Sequence, residues 1–122
     1  MTAATLESIA FQTKDLIGAM ESDGANFSEL RVDGGMVANN WFSQQLANIL
    51  NIDVLRPKVI ETTALGASYL ASMKAGLCPN IESLNSSWES EKTFYSEEKE
   101  TKVLQEKYQI WLSAVERTKG LY

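Results

Sequence analysis

Leu30-Arg31-Val32-Asp33-Gly34-Gly35-Met36-Val37-Ala38-Asn39-Asn40 is the stretch that decides the fold. It predicts a buried strand, a tight glycine turn and the start of an amphipathic helix. Leu30 and Val32 give the strand an apolar side. Gly34 and Gly35 can take backbone angles that residues with a Cβ avoid, and they let another molecule come close to the main chain. The first free N–H groups of the following helix would point back at the turn, a setting that suits a phosphate or the polar edge of a nucleotide. The same strand, glycines and helix also occur in many turns that bind nothing.

Working outward, residues 39–51 form the helix after the turn, with Phe42, Leu46, Ile49 and Leu50 on one face and Gln44, Gln45 and Asn48 elsewhere. Asn51-Ile52-Asp53-Val54-Leu55-Arg56 then predicts a second strand, which Pro57 stops because proline cannot donate to a central ladder. A third helix starts at Thr62 or Thr63, runs to about residue 75 and buries Leu65, Tyr69, Leu70 and Met73. Gly66 and Ala67 inside it imply a close neighbour, Gly76 supplies a C-cap, and Pro79 forbids continuation. Upstream, residues 5–21 carry Leu6, Ile9, Ala10, Leu16, Ile17 and Met20 at helical spacing. Thr5 is the expected N-cap there, Glu7 sits in the first turn, and Gly24 can end the helix in a left-handed cap.

The pattern is therefore α/β: one helix, then β-α-β-α with parallel strands, over residues 1–79. Residues 80–122 read as a tail: polar turns, an acidic stretch (Glu89, Glu91, Glu97, Glu98, Glu100) expected to be solvated surface, and a closing helix with Leu104, Tyr108, Trp111 and Val115 on one stripe. Together they are expected to make a single partial domain. Two parallel strands leave two long unpaired edges, and parallel sheets want both faces covered. The chain is thus expected to be part of a larger sheet or to form a homodimer through an exposed strand edge.

Composition narrows the function. The 122 residues carry a net charge of −5 with scattered basic residues, which argues against a nucleic-acid partner. There is no histidine and a single cysteine, Cys78, so neither a disulfide framework, a zinc site of the usual kind nor histidine acid–base chemistry is available. Cys78 reads as a structural thiol. No apolar run approaches the ~18 residues of a membrane span, and the N-terminal residues lack a signal-peptide pattern, so a cytoplasmic location is expected.

The residues also carry a family likeness. The stretch 30–40 closely resembles the adenosine-binding motif of the glycerol kinases among the FGGY carbohydrate kinases, which belong to the actin-like ATPases. Leu6-Glu7-Ser8-Ile9-Ala10-Phe11-Gln12-Thr13-Lys14-Asp15 is similar to the helix before that motif, and Arg56-Pro57-Lys58-Val59-Ile60-Glu61-Thr62-Thr63-Ala64-Leu65-Gly66-Ala67 to the segment after it. Tyr108, Trp111, Ala114-Val115 and Arg117 resemble the closing helix. Phe94-Tyr95-Ser96 stands where the family usually has a proline after the aromatic residue.

The resemblance implies a partial RNase H-like domain, the second half of the family's C-terminal domain. In the complete enzyme ATP or ADP with Mg²⁺ lies in a cleft between two such domains, and the 3-hydroxyl of glycerol attacks the γ-phosphoryl group. By match to the motif, Gly35 and Asn39 contact the nucleotide and Gly34 shapes the turn. The Asn39 carboxamide offers a donor and an acceptor to an adenine edge; its structural alternative is the N-cap of the second helix. Asp33 is assigned no metal role. The phosphate loops, catalytic aspartate and glycerol-binding residues of the family lie upstream of this segment, so no catalytic residue is expected here and the chain alone should be inactive. The alternative is a kinase-derived, non-catalytic module that binds through its open strand edge.

Overall fold

A computed structural model of the chain describes residues 2–77 and 89–119; Cys78 and Pro79 lie outside the described residues. The first helix, α1 (Thr2–Ser22), begins before Thr5, because Ala3 and Ala4 are strong helix formers that extend it toward the N-terminus. It ends as expected: Gly24 adopts φ +96°, and the Ala25 N–H reaches back to the Met20 carbonyl at 3.0 Å. Its buried residues are Ala10, Phe11 and Ile17, whereas Leu16 and Met20 of the expected apolar face are exposed.

Strands β1 (Glu29–Arg31) and β2 (Asp53–Pro57) run parallel, with Leu30 opposite Val54 and Arg31 opposite Leu55. Helix α2 (Asn40–Leu50) crosses between them. It ends at Asn51, which holds a left-handed φ of 57°, so β2 starts two residues later than its sequence suggests. Helix α3 (Thr62–Lys74) follows, then β3 (Ser90–Phe94) and α4 (Glu98–Thr118).

β3 is the main departure from expectation. The five glutamates of the acidic stretch are exposed, as expected, but the stretch also supplies a strand that pairs antiparallel to β2, Val54 opposite Phe94 and Leu55 opposite Thr93. The sheet order is β1-β2-β3. One of the two expected open edges is therefore closed by the chain's own C-terminal part. Only Phe94 of β3 is buried, which is why the strand carries almost no apolar alternation for a sequence reading to detect.

The core gathers around α2. Phe42, Leu46, Ala47 and Ile49 meet Ala10 and Phe11 of α1, Val54, Phe94 and Leu104 of α4. Tyr108 and Trp111 pack on this cluster, their rings 5.8 and 5.9 Å from that of Phe11. Full burial of an apolar side chain such as Ile49 contributes about 1.5–3 kcal/mol. Asn48, expected away from the apolar face, is buried instead; its Oδ1 accepts hydrogen bonds from Gln44 Nε2 at 3.2 Å and from the Glu97 N–H at 2.9 Å, joining α2 to the start of α4. α3 departs in the opposite direction. It buries no residue: Leu70 is exposed, and a Cβ on Gly66 would meet no atom within 4 Å. Leu65, Tyr69 and Met73 of its expected stripe are half-buried rather than buried.

Candidate functional site

The glycine turn leaves β1 along the parallel ladder, which the Val32 N–H extends by bonding to the Leu55 carbonyl at 3.0 Å. Gly34 then takes φ +89° and ψ 168°, a backbone state reserved for glycine, and its N–H bonds to the Ile60 carbonyl at 3.0 Å. Residues Gly35–Ala38 form one turn of 3-10 helix between the strand and α2. The strand and helix are thus not joined directly by the glycines. Val37 is buried and anchors this turn, while Gly35, Met36, Asn39 and Asn40 are exposed.

Asn39 caps α2. Its Oδ1 accepts from the Trp41 N–H at 2.9 Å and the Phe42 N–H at 3.3 Å. The acceptor half of the carboxamide is therefore committed to the helix, and the free N–H groups of the helix end are partly consumed. The Nδ2 group has no hydrogen-bond partner among the described residues, so the donor half remains.

Gly34, Gly35 and Asn39 lie on one exposed turn. A Cβ built on either glycine would meet nothing within 4 Å. Gly34 is required by its angles. Gly35 has an ordinary φ, so neither its angles nor the chain's own packing requires the missing side chain.

Beneath the turn lies a residue to which the sequence assigned no role. Arg56 of β2 is 7% exposed. Its Nη1 donates to the Val37 carbonyl at 3.0 Å, the Ala38 carbonyl at 3.2 Å and Asn40 Oδ1 at 2.9 Å. Its Nε donates to Glu91 Oε2 of β3 at 2.9 Å, and the guanidinium lies 5.4 Å from the centre of the Phe94 ring. A signal was present: Arg56 is two residues from Val54, hence on the same inward face of a strand, where a charge needs acceptors. Asp33 is exposed and accepts a hydrogen bond from the Thr62 hydroxyl at the start of α3.

Titration is perturbed on the other side of the molecule. Burial, with the Asp15 carboxylate beside it, pushes the Tyr108 hydroxyl up to about 12. Burial also lowers Lys14, whose Nζ donates to the Ile49 carbonyl at 3.0 Å. A groove of about 300 Å³ between α1 and α4, lined by residues such as Glu7, Phe11, Lys107 and Trp111, shares no residue with the glycine turn.

The whole is a piece of an α/β domain of the actin-like ATPase type. It superposes on a ligand-bound xylulose kinase from Lactobacillus acidophilus with a TM-score of 0.83 at 20% identity, over 98% of this chain and 24% of that one, a likeness of fold alone. The model of the C-terminal domain of the FGGY family of carbohydrate kinases matches residues 1–75, and the chain belongs to that family. It is 47% identical to a glycerol kinase of Ectopseudomonas mendocina over 98% of this chain and 24% of that protein. The glycerol kinase of Plasmodium falciparum, solved with ADP, aligns with a TM-score of 0.74 at 34% identity, over 98% of this chain and 24% of that one. The chain spans about a quarter of the length of the curated relatives it matches. Among the described residues no helix is long and apolar enough to cross a membrane, and no three His, Cys, Asp or Glu side chains converge as a metal site.

Proposed function

We propose that this chain is the adenine-nucleotide wall of a glycerol kinase-like enzyme, with Gly34, Gly35 and Asn39 as its nucleotide contacts. The observation that carries this reading is the pairing of Gly35, which lacks a Cβ for no internal reason, with the uncommitted Nδ2 donor of Asn39 on the same open turn. The open space over both glycines fits a flat ligand lying against the backbone. Because Oδ1 is held by the helix, Asn39 would donate to a ring nitrogen of adenine rather than accept from its amino group.

In the complete enzyme the nucleotide, with Mg²⁺, supplies the γ-phosphoryl group to glycerol. Phosphoryl transfer also needs a phosphate cradle, metal-holding carboxylates and a residue that orients the nucleophile. We assign these to the upstream remainder of the enzyme, so the chain alone is inactive. On this reading the tail, residues 80–122, serves the core at 1–79 through β3 and α4.

An ATP-consumption assay with glycerol tests this. The chain alone should show no turnover, and the chain joined behind the upstream three quarters of the Ectopseudomonas mendocina relative should phosphorylate glycerol. Turnover by the chain alone would sink the reading, as would a joined enzyme indifferent to Asn39→Asp. A second reading rests on β1, which among the described residues has a sheet neighbour on one side only: a non-catalytic module or homodimer formed through that edge. A clean monomer by light scattering at high concentration would dispose of the dimer.

A further inference from the structure

We propose that Arg56, held from below by Glu91, is a positioning residue that sets the outward face of the glycine turn, making the C-terminal strand β3 a working part of the nucleotide wall. The proposal rests on the reading of Gly34, Gly35 and Asn39 as nucleotide contacts. The matched family model ends at residue 75, short of Glu91 and Phe94.

The geometry is that of a clamp. The carbonyls of Val37 and Ala38 end the 3-10 turn and have no helical donor to meet them. Both turn inward to Nη1 of Arg56, and Ser43 Oγ adds a second bond to the Val37 carbonyl at 3.1 Å. The same nitrogen reaches Asn40 Oδ1, so the residues on both sides of Asn39 are tied to one buried group. The Ala38 carbonyl and the Asn40 carboxamide are thus fixed on either side of Asn39, while Gly35 and Asn39 themselves stay exposed. Nη1 carries two hydrogens for three acceptors, so one bond is shared, and the position of the guanidinium plane matters. Glu91 on Nε and Phe94 beside the plane fix it. A lysine ammonium could not span Glu91 and the turn together, because it lacks the planar fork.

The test is amide hydrogen exchange on the full chain, with ATP titration followed by tryptophan emission, in the wild type and in Arg56→Lys, Asn40→Ala and Glu91→Gln. The N–H groups of Val37 and Asn39, bonded within the turn, report on the clamp directly. Loss of the fork should speed their exchange about tenfold in Arg56→Lys, as expected for a hydrogen bond of about 1–1.5 kcal/mol, with smaller increases in the other two. Amides of α1 and α4 should keep their rates, and ATP affinity should fall in the same order as the turn loosens. Should Arg56→Lys fail to fold, Asn40→Ala and Glu91→Gln leave the guanidinium in place and carry the test. Unchanged exchange at 35–39 in these variants, or an even increase throughout the chain, would overturn the clamp. A wild type that ignores ATP while the exchange pattern holds would uphold the clamp and overturn the nucleotide reading instead.

Discussion

α2 and α3 are helices of similar length, 11 and 13 residues, and each carries an apolar stripe. α2 buries Phe42, Ser43, Leu46, Ala47, Asn48 and Ile49, and α3 buries nothing. The difference lies in their surroundings. α1 and α4 both pack on α2 and β2 runs beside it, whereas on α3 Leu65, Tyr69 and Met73 are only half-buried and Leu70 is exposed. An apolar helix stripe that is only half buried can take more cover. On the proposed reading, that cover is the rest of a family domain, and the glycine turn lies where the finished and unfinished halves meet.

The largest expected effect breaks the comparison at its strong end. Phe42→Ala should cost about 3–5 kcal/mol of stability in urea unfolding, the range for an aromatic removed from a core. Arg56→Met should cost less, about 1–3 kcal/mol, because it strands the inward carbonyls of Val37 and Ala38 while Glu91 remains half exposed to water. Asn39 separates structure from binding. Asn39→Ala should lose about 1 kcal/mol with the cap, while Asn39→Asp, an equally good cap without the Nδ2 donor, should keep stability and lose ATP binding. At the weak end, Leu70→Ala should change stability by less than about 0.5 kcal/mol, as for a surface position. A large loss there would show that α3 is covered after all.

A pH series sharpens the finished side. The Tyr108 hydroxyl is raised from its ordinary 10.0 to about 12 in the folded chain, so its neutral form is favoured by folding. The stability this contributes is fully present below pH 10 and is lost as pH rises toward 12. Urea midpoints should fall through that window in the wild type and fall less in Tyr108→Phe, a comparison that also removes the opposing contribution of Lys14, whose lowered titration acts in the other direction.

How much was legible in the sequence follows the same division. The strand, glycine turn and helix stood out because Leu30, Val32, Gly34 and Phe42 signal them locally through alternation, turn chemistry and helical spacing. Asn39 was visible both as cap and as candidate contact, and the structure commits its oxygen to the helix. β3 was hidden because a strand that buries only Phe94 has no apolar period to read. Arg56 and Asn48 were hidden because their acceptors and donors come from distant parts of the chain, Glu91 and Glu97 among them. The stripe of α3 was legible, but burial is a property of neighbours, and periodicity cannot supply them.

The central claim is that this chain holds one wall of a nucleotide site. Calorimetric titration of the chain with ATP, with and without Mg²⁺, tests it most directly. A one-sided turn gathers few contacts, so binding should be weak, with Kd of about 1 mM or above, indifferent to Mg²⁺ and abolished by Asn39→Asp. Tight, Mg²⁺-dependent binding would contradict it, since the chain would then hold the phosphates and the metal as well as the base.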